Sequence, residues 1–325
     1  MESACSQRNE TLDLLRIMLC FGVIIGHIAS SCFDFQYVEN GSTDWVACSL
    51  LFDLGKGAIP VFAMITGFLF LNPSKELPLK KLYGRNVLRL VLALMFWTWF
   101  YAIILHQRFY PFFGQDTNYW YVGMCIGLYI SLPVLRMIAA NEKLLAYSCW
   151  IWFFIRCYYY VDEYLIQVPV IFTDFVFRDF IGYCLWGYYL SQREFSKKQT
   201  RWFYLAGFVG LLITLILPFV SNRALACRFE SPSVIATSVA LFLFVIKHPV
   251  HLSGRVAKIV TYVAQMTFGI YMVHSFVNMV VFTRIHRFFP SFAPLYIFSV
   301  IAVFAISFLI ILIIKNIPVL KKWVI

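Results

Sequence analysis

Leu12-Asp-Leu-Leu-Arg16-Ile-Met-Leu-Cys-Phe-Gly-Val-Ile-Ile-Gly-His27-Ile-Ala-Ser-Ser-Cys-Phe33 is an apolar run with an arginine near its start and a histidine well inside. About 20 apolar residues in a helix span a bilayer, so the stretch reads as a membrane helix. Arg16 and His27 are 11 positions apart. At about 3.6 residues per turn that is three turns and roughly 20° more, which puts both side chains on one face, roughly 16 Å apart along the axis. One then lies near a membrane surface and the other past the bilayer centre. Ionisable groups at such depths face a bundle interior or a water-filled cavity. A snorkelling arginine with a histidine bonded to a neighbouring helix satisfies that rule, and so does a functional site.

Composition extends the reading to the whole chain. Of 325 residues, 61% are hydrophobic and 13% charged, against about 25% charged in a soluble domain. The expectation is an all-α, polytopic helical bundle forming one domain over 1–325. The first apolar segment is too long for a cleavable signal peptide, and no small-residue cleavage site follows it. The net charge of +11 does not point to nucleic acid, because the basic residues are scattered over short loops, where they act as topology signals. The nine cysteines show no Cys-x-x-Cys and no Cys/His cluster with zinc spacing, so no metal is expected. Cys32 and Cys48 could meet near one membrane surface.

Apolar runs predict ten helices, at about 12–33, 45–71, 86–106, 118–139, 144–161, 173–191, 201–221, 232–248, 260–283 and 293–314. Arg156 interrupts the fifth. Eighteen basic residues fall in the segments on the side of the N-terminus and six on the other. The positive-inside rule therefore puts both termini in the cytoplasm of a multi-pass protein of the cell membrane. Arg16 is then near the cytoplasm and His27 in the outward half.

Several other polar residues fall in or beside apolar runs. Asp53 and Lys56 are one turn apart and suited to pairing, either as an outer-interface ion pair or at the level of His27. Arg85 and Arg89 share a face at the start of the third helix. Such a pair can grip phosphates bidentately, or serve topology and anionic lipid headgroups. Asp174 and Arg178, four apart, suit a pair in the sixth helix. Tyr119-Trp-Tyr121 reads as an interfacial aromatic belt, and Gly182 to Gly187 as a close-packing segment. His274 lies inside the ninth apolar run, bonded to a neighbouring helix or part of a site.

Taken together these segments resemble the acyltransferase family 3 membrane proteins, which O-acetylate sugars and other surface molecules in bacteria. The resemblance covers nearly the whole chain. It rests on Arg16 and His27 with ten residues between them and on Pro60-Val-Phe-Ala-Met-Ile-Thr-Gly-Phe68. It rests also on Arg85-Asn-Val-Leu-Arg89, Leu128-Tyr-Ile-Ser-Leu-Pro133 and Phe268-Gly-Ile-Tyr-Met-Val-His274. The family's Arg-Arg-x-x-Arg motif has Asn86 here at its middle arginine, leaving one fewer cation. Ser275 stands where proline usually follows the histidine.

The resemblance implies transfer of an acetyl group from cytoplasmic acetyl-CoA to a hydroxyl of a cell-surface or lipid-linked glycan. The donor's phosphates would meet Arg85, Arg89 and Arg16, with Asp13 orienting Arg16. His27 would be the general base, a task histidine suits because its ordinary pKa lies near working pH. His274 would polarise the carbonyl or hold its helix. Acetyl-CoA is a donor substrate; no permanently bound cofactor is implied, and the surrounding partners are membrane lipids. The rival readings are a transporter or flippase of a glycan or lipid-linked intermediate, and an inactive sensor or scaffold. Transporters often carry an internal repeat, and none is visible here.

Overall fold

The computed structural model describes residues 9–104, 119–161, 180–220, 228–289 and 291–323, in which every regular element is helical. Asn9 caps α1 (Glu10–Asp34), its side chain accepting from the Leu12 N–H at 3.1 Å. Glu10 and Asp13 add negative charge to the first turn, where the helix dipole favours it. A 3₁₀ turn, Gly55–Gly57, separates α2 (Thr43–Leu54) from α3 (Ala58–Phe70). The second predicted helix is thus two α-helical pieces joined by a 3₁₀ turn. α4 (Leu79–Ile104) has a π-helical stretch, Leu82–Val87, just after its first turn. α5 (Trp120–Ala139), α6 (Glu142–Val161) and α7 (Ile181–Gln192) follow, then α8 (Lys197–Val220) and α9 (Pro232–Lys247). The chain continues with α10 (Gly254–Ala264), α11 (Thr267–Ile285), α12 (Phe292–Ile314) and the short α13 (Pro318–Trp323).

Each of the ten predicted runs has a helix within it. Among the described residues, seven helices are long and apolar enough to cross a membrane: α1, α2 with α3, α4, α5, α8, α11 with its 3₁₀ extension, and α12. α9, at 16 residues, is a shorter apolar helix. α6 carries Glu142, Lys143 and Arg156, and 12 residues of α7 are described. Arg156 does not break α6; it is buried and its guanidinium lies 6.0 Å from the Tyr159 ring centre.

A second predicted helix is also divided. The run read as 260–283 is two helices meeting at Gln265–Met266. α10 leaves Arg255, Val256, Lys258 and Ile259 exposed, as befits an amphipathic surface helix. α11 buries residues around most of its circumference. The two therefore need different directions, and Thr267 Oγ1 donates to the Ala264 carbonyl at 2.8 Å across the break.

α1 is the element that joins the bundle. It packs on α2, α3, α10, α11 and α12. Leu12, Leu15, Leu19 and Val23 belong to one core, with α3, α5, α6, α7 and α9. Cys20, Ile24, Ile28, Ala29 and Cys32 belong to a second, with α11 and α12. Several polar residues inside the bundle bond to main chain, which an apolar surrounding favours. Ser49, Thr66 and Thr98 donate to carbonyls one turn back, Tyr296 to Ile25 O at 2.8 Å, and Cys48 to Ala29 O at 3.3 Å. Cys32 and Cys48 are free thiols, both fully buried. Arg136 gathers the carbonyls of Phe70, Pro73 and Lys75, tying α5 to the end of α3.

Candidate active site

At the Arg16 end, Asp13 is buried, 1% exposed, and accepts from Arg16 Nη1 at 3.0 Å and from Thr261 Oγ1 at 3.2 Å. The arginine is held from one side by a carboxylate that α10 helps to fix. The Arg16 side chain is 27% exposed. It lines a cavity of about 280 Å³ together with Cys20, Phe62, Tyr121, Tyr129 and Tyr271. Phe268 is also on this wall, and the Arg89 guanidinium lies 5.7 Å from its ring centre. Arg85 is exposed on the π-helical stretch, whereas Arg89 is half-buried. The two arginines thus stand at graded depth, one in the open and one against the cavity wall. A π-turn of this kind often marks a functional place in a helix.

At the other end His27 lines a second cavity, of about 240 Å³, with Ser30, Phe52, Lys56, Trp120 and Phe229. Gly55 makes this arrangement possible. A Cβ there would stand 2.7 Å from the Gly22 carbonyl oxygen, so a hydrogen is needed for the 3₁₀ turn to rest on α1. That turn carries Lys56, whose Nζ lies 4.2 Å from the Phe52 ring centre and 5.4 Å from that of Phe229. Asp53, on the turn before, is buried.

Behind His27 stands His274, 1% exposed, with ring centres 4.9 Å apart and planes at 69°. His274 Nδ1 is 2.5 Å from the Tyr271 carbonyl. A carbonyl only accepts, so Nδ1 carries the proton and Nε2 is the acceptor, 3.3 Å from Ser275 Oγ. Asn278 ties the same two helices. Its amide donates to Ser31 Oγ at 2.8 Å and to the His27 carbonyl at 3.3 Å. The main chain that bears His27 is thereby held directly to α11.

The two cavities adjoin. Val23 lines both, and the pairs Ile59/Phe62 and Trp120/Tyr121 line one each. Of the residues singled out in the sequence, Arg16 lines the first cavity and His27 and Lys56 the second; Asp13 bonds to Arg16, Arg89 lies beside Phe268 of the first wall, and His274 packs on His27. Asp174 and Arg178 lie outside the described residues. The aromatic-belt reading fails for two of its three members. Tyr119 is buried and donates to Met272 O at 2.9 Å, and Tyr121 lines the Arg16 cavity; Trp120 alone is exposed. Tyr119 stands just before α5 and Tyr121 in its first turn, so each reaches α11 from a different direction, Tyr119 at Met272 and Tyr121 at Tyr271. Asn278 and Thr261 were not singled out in the sequence. An asparagine four residues after His274 in an apolar run was the available signal; Thr261 had none, because its partner is 248 positions away.

Asp13→Asn keeps the shape of the Arg16 clasp but removes its charge. The expected result is a loss of about 1–3 kcal/mol, read as a lower thermal midpoint of the purified protein in detergent. An unchanged midpoint would mean that the clasp adds nothing to the fold.

A family model described as an acyltransferase domain matches residues 9–312. No curated protein matches the chain, and no solved structure does.

Proposed function

The chain belongs to acyltransferase family 3, and from that premise we propose that it moves an acetyl group from cytoplasmic acetyl-CoA to a hydroxyl of a cell-surface or lipid-linked glycan, with His27 as general base. The observation that carries this reading is the pair of adjoining cavities, one bearing Arg16 and the other His27. The Arg16 end faces the cytoplasm, in keeping with the loop charges. Acetyl-CoA enters there, its phosphates meeting Arg85 first and Arg89 and Arg16 deeper in. Its pantetheine arm extends through the aromatic wall towards Val23, across the roughly 16 Å that α1 puts between Arg16 and His27.

The acceptor enters the His27 cavity from the other side. Aromatic faces with a lysine and a serine hydroxyl have the make-up of a small-molecule site, apolar walls with a few polar groups. His27 takes the acceptor's hydroxyl proton as the oxygen attacks the thioester carbonyl. The carbon–sulfur bond then breaks, and the proton passes from His27 to the departing thiolate. The products are an acetyl ester and free CoA. His274 is a positioning residue in this scheme. Its Nδ1 proton is committed to Tyr271 O, so its ring is a fixed wall for His27.

Donor kinetics test the reading. Arg85→Ala and Arg89→Ala each raise the donor KM, by about tenfold for a charged contact. The effect is larger at Arg89, where less solvent screens the charge. An unchanged donor KM with weakened acceptor binding would remove the arginines from the donor site.

A further inference from the structure

The largest cavity among those described lies apart from Arg16 and His27. It has a volume of about 540 Å³ and opens between α6, α7, α8 and α9, within the range of about 300–1,000 Å³ typical of small-molecule sites. Its walls are aromatic, with Trp150, Trp186, Trp202 and Phe203 among them, and its polar lining includes Arg193. Trp150 and Trp202 are exposed on the outer face of the bundle, so the crevice opens sideways to lipid. It runs from the α7–α8 connection to Ala236, about two turns deep along α8 and α9.

Basic side chains predominate at its mouth. The Arg193 guanidinium is fixed there, donating to Tyr189 Oη at 2.6 Å and stacking near the Tyr189 and Phe195 rings. Lys247 Nζ bonds to Phe195 O at 3.3 Å and Thr200 Oγ1 at 2.7 Å. Glu194, Lys197, Lys198 and Arg201 are exposed at the same end of α8, outside the crevice lining. This mouth is at the Arg16 end of the bundle, because the chain leaving α9 bonds back to Thr11 through the Val250 N–H at 2.9 Å.

We propose that this crevice is a binding site for an anionic phospholipid of the adjoining leaflet. The headgroup phosphate sits on Arg193, and one acyl chain lies against the tryptophans. The apolar depth excludes a water-soluble anion as the full occupant, and the basic mouth selects an anionic headgroup over a zwitterionic one. The inference does not depend on the acyl-transfer scheme, since none of its residues lines either cavity of that path.

Native mass spectrometry of the purified full chain tests it, after equal exposure to phosphatidylglycerol and phosphatidylcholine. Wild type should retain phosphatidylglycerol preferentially. Arg193→Gln should reduce its retention about fivefold, the share of one basic residue near a headgroup. Lys80→Gln, a change of equal charge on a different loop, should leave retention unchanged. Ala206→Trp keeps Arg193 and fills the crevice, so it should expel the lipid from a folded protein. Equal retention of the two lipids by wild type would overturn the proposal. So would Arg193→Gln matching wild type, Lys80→Gln losing as much as Arg193→Gln, or retention by a folded Ala206→Trp.

Discussion

His27→Ala loses acyl transfer by about 10²- to 10⁴-fold, the usual contribution of a positioned general base, while the protein accumulates as wild type does. The two halves of this result have separate causes. The proton of the attacking hydroxyl has no acceptor once the imidazole is gone. His274 does not substitute, because it is buried behind His27 and lines neither cavity. The fold tolerates the change because His27 is half-buried beside existing space. The His27–Asn278 link uses the main-chain carbonyl, which alanine retains. Turnover is measured on membranes matched for protein content. Near-normal transfer by His27→Ala would remove the base from the mechanism, and a lost protein would turn His27 into a structural residue.

Gly187→Val has the opposite signature, a loss of the protein itself. α3 and α7 are in close contact along their length. A Cβ on Gly187 would overlap the main chain of Met64, and one on Gly67 would overlap that of Cys184. Backbone cannot rotate aside as a side chain can, so the helices must separate. Overpacking typically costs about 1–3 kcal/mol even where neighbours adjust, and total stabilities are only about 5–15 kcal/mol. The expected result is a severalfold fall in membrane-inserted protein by immunoblot, with Gly84→Ala, which meets open space, as the unaffected control. Wild-type levels of Gly187→Val would show that α3 and α7 can part without harm.

Local signals explain what was legible beforehand. Apolar run length identified the helices, seven of which among the described residues are long and apolar enough to span a membrane, because a span is a property of about 20 consecutive residues. The spacing of Arg16 and His27 put them on one face of α1, and the glycines of α7 signalled close packing. Long-range facts were hidden. No periodicity announces that the turn at Gly55 rests on α1, nor that Thr261 reaches Asp13. The break at Gln265 was missed because α10 and α11 are both apolar enough to read as one run, and only their different exposed faces separate them. The burial of Tyr119 and Tyr121 depends on their contacts with Met272 and Tyr271 of α11, about 150 positions away, which the sequence around α5 alone does not state.

The most direct test of the account follows labelled acetyl. Inside-out membrane vesicles carrying wild type or His27→Ala at matched levels are supplied with acetyl-labelled acetyl-CoA on the exposed cytoplasmic face, and label is followed into glycan, other acceptors and free acetate. The account predicts label in the glycan fraction with wild type and only background with His27→Ala. Equal labelling by the two proteins would contradict His27 as the base. No label above background with intact wild type and acceptors present would contradict acetyl transfer from acetyl-CoA.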